Sequence, residues 1–385
     1  MRDVVIAGVG QIPVGEHWEL ALHTLSTRAI LAARRDAPGL EPQAIYIGNL
    51  LSPVVSHQSN LGALLSEHAG LTGTEAYTCE AGGASGAAAF RLAYLAIASG
   101  YVDVALAVGV EKYTDMVGPG LEKAVAESTD YDYEAVQGVT LTTQAALLAQ
   151  RYLHEHKLKR DILADFPLLA HANGANNPNA MYRKPIPRET YQKAEIVCDP
   201  LNLFDISPYA DGAAAVILTR PELIDNGLDH PLVRITGSSV VVDTLALHDR
   251  PDPLAFEAAA VSLQQACRQA GILPQDADLF ELCDAFSIYA LLSLEAAGFA
   301  NHGEGWKLAQ DGNLGLQGKL PILTMGGCKA RGNPLGASGM YQIVEAALQL
   351  RGQAGASQVQ NARRALVQTL GGPASTAITH VLERF

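Results

Sequence analysis

Short apolar runs bounded by Gly or Asn recur at Val4–Ile6, Ala44–Ile47 and Val104–Val108, with Ala-rich stretches of helical spacing between them. This alternation predicts an α/β fold. The same order returns as Leu232–Ile235 and Leu279–Leu282, then a glycine-rich segment, Gly326–Gly339, leading into a helix over Met340–Leu350, then Ala365–Thr369. The first half has its own glycine-rich helix start at Gly82–Gly86. Matching pieces lie about 230 to 260 residues apart, with the drift that unequal loop insertions produce. The pattern predicts a duplicated α/β half, residues 1–230 and 231–385. Within the first, residues 113–200 lose the strand pattern and read as polar and loop-rich, as in Asn173–Ala180. Long insertions of this kind usually carry function.

The most apolar stretch, Ala87–Val110, is interrupted by Arg91, Gly100 and Asp103, so it reads as a core helix followed by a strand rather than a membrane span. Forty acidic against 27 basic residues give a formal charge of -13. That field opposes binding to nucleic acid or an anionic membrane face, and an acidic ligand needs local basic residues. Five cysteines, at 79, 198, 267, 283 and 328, are scattered, without CxxC or a His at metal-ligand spacing. Unpaired thiols in a reducing cytoplasm, and no metal, are the expectation. The strand pattern begins at once, leaving no room for a signal peptide.

Two segments point to chemistry. Cys79 precedes Gly82-Gly83-Ala84-Ser85-Gly86 and a long helix, so its thiol is expected near a helix N-terminus, where the field of unpaired N–H groups lowers a thiol pKa. A buried structural cysteine is the alternative. Gly326–Gly339 places five glycines ahead of a helix, letting backbone N–H groups surround an oxyanion. It lacks the GxxxxGK[ST] order of a nucleotide phosphate loop, and Gly8-Val9-Gly10 has Pro13 where a third dinucleotide-loop glycine belongs.

These segments, with Asp199–Ala215 and Cys283-Asp284-Ala285-Phe286, resemble the thiolase superfamily across essentially the whole chain. Gly109–Asp115 and Asp243–Arg250 are most similar to the sterol-carrier-protein and archaeal acetyl-CoA acetyltransferase branch. The resemblance implies a five-layer α-β-α-β-α duplicated fold, a CoA thioester substrate with no other cofactor, and Cys79 as the acyl-accepting nucleophile. It also implies at least a homodimer and, as in related bacterial and archaeal branches, a small OB-fold, zinc-ribbon partner.

The supporting positions depart from the family. Where thiolases carry GHP, this chain has Gly332-Asn333-Pro334; the NEAF or HDCF tetrad begins with Cys283 and has Ala285 third; the CxG near the C-terminus is Thr369-Leu370-Gly371. Asparagine donates a hydrogen bond but takes no proton, so Asn333 is expected to polarise a thioester carbonyl, leaving Cys283 as a replacement base. His171 and His248 lie in segments resembling the family's substrate-side loops. Ser207, Ser338, Gly336 and Gly371 are expected at the substrate as lining. The function implied is a thiolase-like acyltransferase with altered base positions. The alternative is a catalytically weakened subunit that binds CoA esters or scaffolds a complex. β-Ketoacyl synthase chemistry ranks last, because that family keeps two histidines.

Overall fold

The computed structural model describes residues 2–224 and 228–385. In chain order the first half runs β1 (Val5–Gln11), α1 (Leu22–Asp36), β2 (Ala44–Gly48), α2 (Ser52–Val55), α3 (Leu61–His68), β3 (Glu75–Cys79), α4 (Ser85–Ala98) and β4 (Val104–Glu111). The insertion follows as α5 (Pro119–Ala126), α6 (Leu141–Glu155), α7 (Asp165–Gly174), α8 (Arg188–Lys193) and the hairpin of β5 (Ile196–Cys198) and β6 (Leu201–Asn202), before β7 (Gly212–Thr219) returns to the sheet. The second half is β8 (Val233–Val242), α9 (Glu257–Ala270), β9 (Leu279–Glu281), α10 (Ser287–Ala296), α11 (Gly305–Gln310), α12 (Ser338–Arg351), β10 (Arg364–Gly371) and β11 (Thr376–Arg384).

Pairing shows the duplication strand by strand. β2 lies parallel between β3 and β4, and β4–β7 and β7–β1 are antiparallel. In the second half β9–β10 is parallel, and β10–β11 and β11–β8 are antiparallel. Thus β9, β10, β11 and β8 repeat β2, β4, β7 and β1, and a parallel bridge from Phe280 to Ile322 stands where β2 meets β3. Val5–Arg234 and Ile6–Val233 join the halves into one nine-stranded sheet.

The layers follow from the two-residue period of the strands. On β4, Ala105 and Ala107 face a core with α4 and α12, while Leu106 and Val108 face another with α1 and α3. On β10, Ala365 and Val367 face that same α4/α12 core, and Leu366 faces α9 and α10. The order is therefore outer helices, sheet half, central helices, sheet half, outer helices: the expected five layers. α1 shows why its residues form an amphipathic helix: Leu22, Leu25, Ser26, Ala29, Ile30 and Ala33 are buried at helical spacing. β7 was not among the expected strands, because Gly212-Ala213-Ala214-Ala215 shows no two-residue alternation. Burial along its whole length between β4 and β1 overrides alanine's propensity.

The two glycine-rich helix starts touch. A Cβ at Gly86 would lie 2.9 Å from the Met340 nitrogen, and one at Gly339 2.9 Å from the Ala87 nitrogen. The insertion differs from expectation, being largely helical. Residues 175–180 do form a loop after α7, as expected, but two of the asparagines, Asn173 in α7 and Asn177 in that loop, are buried hydrogen-bond donors: Asn173 Nδ2 donates to the Leu323 carbonyl at 3.0 Å, and Asn177 Nδ2 to the Met325 carbonyl at 2.8 Å. They clamp α7 and its C-terminal turn onto the approach to the second glycine-rich segment. No described helix is long and apolar enough to cross a membrane.

Candidate active site

Where β9 ends, Asp284 is fully buried and accepts the backbone N–H of Cys328 at 2.5 Å. That bond ties Cys283–Phe286 to the second glycine-rich segment and brings Cys283 beside Cys328. Both thiols line a cavity of about 50 Å³ shared with Asn333, Ser338, Ser207, Thr369, Leu370 and Gly83. The Cys328 thiol donates to the Cys283 sulfur, and this bond, helped by the backbone N–H groups of Ala285 and Leu370, draws the Cys283 pKa below the usual thiol value. The same contact, with burial, pushes Cys328 well above it.

Asn333 is held through its side chain and both backbone groups, its N–H donating to the Pro208 carbonyl at 3.2 Å. Its Nδ2 donates to Ser207 Oγ at 2.9 Å, Ser338 Oγ donates to its Oδ1 at 2.7 Å, and the Tyr113 hydroxyl donates to its carbonyl at 2.6 Å. This fixes the amide plane and leaves the Ser207 hydroxyl proton free for a ligand oxygen. At the third altered position, Thr369 Oγ1 donates to Gln342 Oε1 at 2.7 Å, and Gln342 Nε2 donates to the Leu282 carbonyl at 2.7 Å. A closed hydroxyl–amide chain occupies the place of an acid/base group.

Cys79 is elsewhere. It ends the edge strand β3 with its sulfur 3.5 Å from the Ile47 carbonyl oxygen and 3.8 Å from that of Ser85, and it does not line the cavity. The expected lowering of its pKa is reversed: burial, with Glu80 adding to it, pushes the thiol up to about 12. A helix field helps only a sulfur that faces N–H groups, and this one faces carbonyls. The residue before α4 that does reach the cavity is Gly83, whose added Cβ would stand 2.9 Å from the Leu370 carbonyl oxygen. The signal for it in the sequence is the Gly82-Gly83 pair immediately ahead of α4. We expect iodoacetamide labelling of Cys79 to be slow at pH 7.5 and to rise about tenfold per pH unit to about pH 11. A rate that levels off near pH 8, followed by peptide mapping, would contradict this.

Four further residues lie off the cavity. His248 is exposed in the turn Leu247–Asp249, its ring centroid 6.1 Å from that of Tyr133. Gly336 is packed behind the wall, its N–H donating to Glu111 Oε2 at 3.2 Å. Gly371 packs against the Ala81 carbonyl, where an added Cβ would come within 2.6 Å, while its neighbours Leu370 and Gly372 line the cavity. His171 is buried on α7 and lines a separate, larger pocket that shares only Ile206 and Ser207 with the cavity. Burial, then Lys329, lowers its pKa and keeps the ring neutral. Glu111 was not anticipated. Fully buried, it accepts from the N–H groups of Leu50 and Leu51 at 3.0 Å and from Asn49 Nδ2 at 2.8 Å; burial pushes its carboxyl up to about 7. It pins the loop after β2 to Gly336 and so joins the halves beside the cavity.

A duplicated α/β fold with its functional groups gathered where the two central helices start defines a thiolase-type acyltransferase. The chain belongs to the thiolase family: residues 4–222 match the model described as Thiolase, N-terminal domain, and residues 239–384 match Thiolase C-terminal domain-like. It is 39% identical over 386 residues to an acetyl-CoA acetyltransferase of Methanothermobacter thermautotrophicus, covering 100% of both chains. It is 33% identical to the benzoylsuccinyl-CoA thiolase subunit BbsB of Thauera aromatica, over 96% of this chain and 95% of that one. Among solved structures it is similar to the Ltp2-ChsH2(DUF35) aldolase, with TM-score 0.86, 25% identity and 99% and 98% of the two chains covered. Human mitochondrial 3-ketoacyl-CoA thiolase shares the fold, with TM-score 0.75 at 20% identity over 100% of this chain and 99% of that one.

Proposed function

We propose that this enzyme transfers an acyl group from a CoA thioester and that Cys283, not Cys79, takes it. The observation that carries this is the placement of Cys283 in the cavity beside Asn333 and Ser207, with a hydrogen bond from Cys328 favouring its thiolate. The thiolate attacks the thioester carbonyl, and the oxyanion is met by the Ser207 hydroxyl, which Asn333 orients. The carbon–sulfur bond to CoA then breaks, the acyl group stays on Cys283 Sγ, and the departing CoA sulfur takes up a proton. Transfer onward to carbon needs a base for the enolate. The other titratable side chains lining the cavity are Cys328, Tyr209 and Tyr289, all kept protonated chiefly by burial or, for Cys328, by its bond to Cys283. Acylation is therefore faster than condensation in the isolated chain. Incubation with acetyl-CoA, intact-mass measurement and peptide mapping test the reading. One acetyl group on the Cys283 peptide is expected; an adduct on Cys79, or none, overturns it.

The assembly is read from the relatives. The Ltp2 structure contains ChsH2(DUF35), and BbsB is by name a subunit. On that ground the chain works with a second protein. Homodimerisation is read from β3, an edge strand whose Tyr77 is 54% exposed and whose free N–H and C=O groups suit pairing with a second copy.

A further inference from the structure

Four donors converge on the buried Glu111, and none of them carries a charge. Its Oε1 accepts from Asn49 Nδ2 at 2.8 Å and from the Leu51 N–H at 3.0 Å; its Oε2 accepts from the Leu50 N–H at 3.0 Å and from the Gly336 N–H at 3.2 Å. Two residues further on, at the same end of β4, the buried Tyr113 hydroxyl donates to the Asn333 carbonyl at 2.6 Å. The two side chains therefore hold one turn at both of its ends. Between the two holds stands Leu335, with φ 30°. A bulky L residue rarely adopts that conformation, and it persists only where the surroundings over-determine it. The same turn carries Asn333 and leads into Ser338, the two residues whose hydrogen bonds orient the Ser207 hydroxyl at the cavity.

We propose that Glu111 is a positioning residue for acyl transfer: its carboxylate, together with Tyr113, clamps the strained turn so that the line of hydrogen bonds from Ser338 through Asn333 to Ser207 stays aimed at the thioester carbonyl, and loss of its negative charge releases the turn. Every hydrogen bond the carboxylate makes is one it accepts, so an added proton displaces one of the N–H groups. The bond to Gly336 is the longest of the four and is the one that yields. Burial, working against these donors, pushes the carboxyl up to about 7. The clamp is therefore complete above that pH and is released as the pH falls through it. The titratable neighbours do not copy this behaviour. Tyr113 and, on α12, Tyr341 are kept protonated by burial, and Asp211, just before β7, is paired with Lys112 Nζ at 3.1 Å. The loop after β2 and the turn before α12 bring no titratable group. The inference rests on the acyl-CoA reading for what the clamp serves, so its test is one of binding and not of turnover.

The probes are acetyl-CoA and S-ethyl-CoA, which lacks the carbonyl oxygen, measured by calorimetry on the full chain carrying Cys283→Ala, so that no acyl group is transferred and that thiol does not titrate. Both ligands share the CoA arm, and titration of groups that meet the arm cancels in the ratio of their affinities. At pH 8.5 acetyl-CoA is expected to bind about fivefold more tightly than S-ethyl-CoA, the size of one net hydrogen bond. At pH 5.5 the ratio should fall to near unity, and hydrogen exchange over residues 335–337, corrected for its intrinsic pH dependence, should be faster than at pH 8.5. Adding Glu111→Gln, whose amide cannot accept on both sides, should hold the ratio near unity at both pH values. A carbonyl preference that is the same at pH 5.5 and 8.5, one that Glu111→Gln retains, or no preference at pH 8.5 overturns the inference. The comparison across pH needs no change at position 111, so it stands even if Glu111→Gln does not fold. A preference that disappears with falling pH would keep the clamp even if Cys283 in the unaltered chain is never acylated, so the two readings fail separately.

Discussion

Cys283→Ala is expected to lower acyl transfer by about a thousandfold or more, the scale seen when the covalent nucleophile is removed from an enzyme that keeps its other binding groups. Cys79→Ala is expected to keep turnover near that of the unaltered protein, because the Cys79 sulfur faces the Ile47 and Ser85 carbonyls and not the cavity. The two variants make a paired comparison. Each removes one partly or wholly buried sulfur, so a loss of activity confined to Cys283→Ala, with thermal midpoints alike, isolates chemistry from packing. The reverse pattern would return the acyl group to the end of β3. Cys328→Ala separates the roles further. It removes the hydrogen bond that favours the Cys283 thiolate, so the activity should persist but its rise with pH should move upward.

The second large effect is on stability. Arg331 and Glu345 form an ion pair at 2.7 Å with both side chains fully buried, linking the glycine-rich segment to α12. Glu345→Ala leaves the guanidinium charged and without its partner, since arginine does not give up its proton inside proteins. A loss of about 3–5 kcal/mol follows from breaking such a pair on one side. Denaturant unfolding measures it. Arg331 also stands 5.2 Å from the Tyr341 ring centroid, and its Nη2 is 3.8 Å from Cys328 Sγ, so the same variant should loosen the thiol pair. Replacing both residues, Arg331→Met with Glu345→Leu, should recover much of the stability, because the uncompensated charge is then gone. A single variant that unfolds like the unaltered protein would show that the pair contributes nothing.

Much of this architecture was legible in one dimension. The two-residue and 3.6-residue periods are local, and they placed β1, β2, β4, β8, β9 and β10 and the helix after Gly339 within a few residues. Internal repetition predicted the duplication, since equivalent strands recur in the same order and pair with the same directions. The altered triplets were visible too, and Asn333, Cys283, Ser207 and Ser338 do meet at one cavity. β7 escaped because an alanine run carries no period that separates a buried strand from a helix. In the insertion the clamping role of Asn173 and Asn177 escaped, because an asparagine that bonds to a distant carbonyl looks the same in sequence as an exposed one.

The sequence by itself determined the family, the two halves and the residue types available for catalysis. Only the tertiary structure decided which of them share a cavity. Cys79 and Gly83 are four residues apart, and where β3 stops and α4 begins sets which one turns inward; that boundary depends on pairing with β2 and on the approach of α12, neither encoded near position 79. The acidity of a thiol likewise depends on what its sulfur faces. Cys79 meets carbonyl oxygens and is raised, while Cys283 meets a thiol and N–H groups brought from β10 and the second glycine-rich segment and is lowered. Those partners lie 45 and 87 residues away along the chain, at Cys328 and Leu370, and only folding puts them within a bond length of hydrogen.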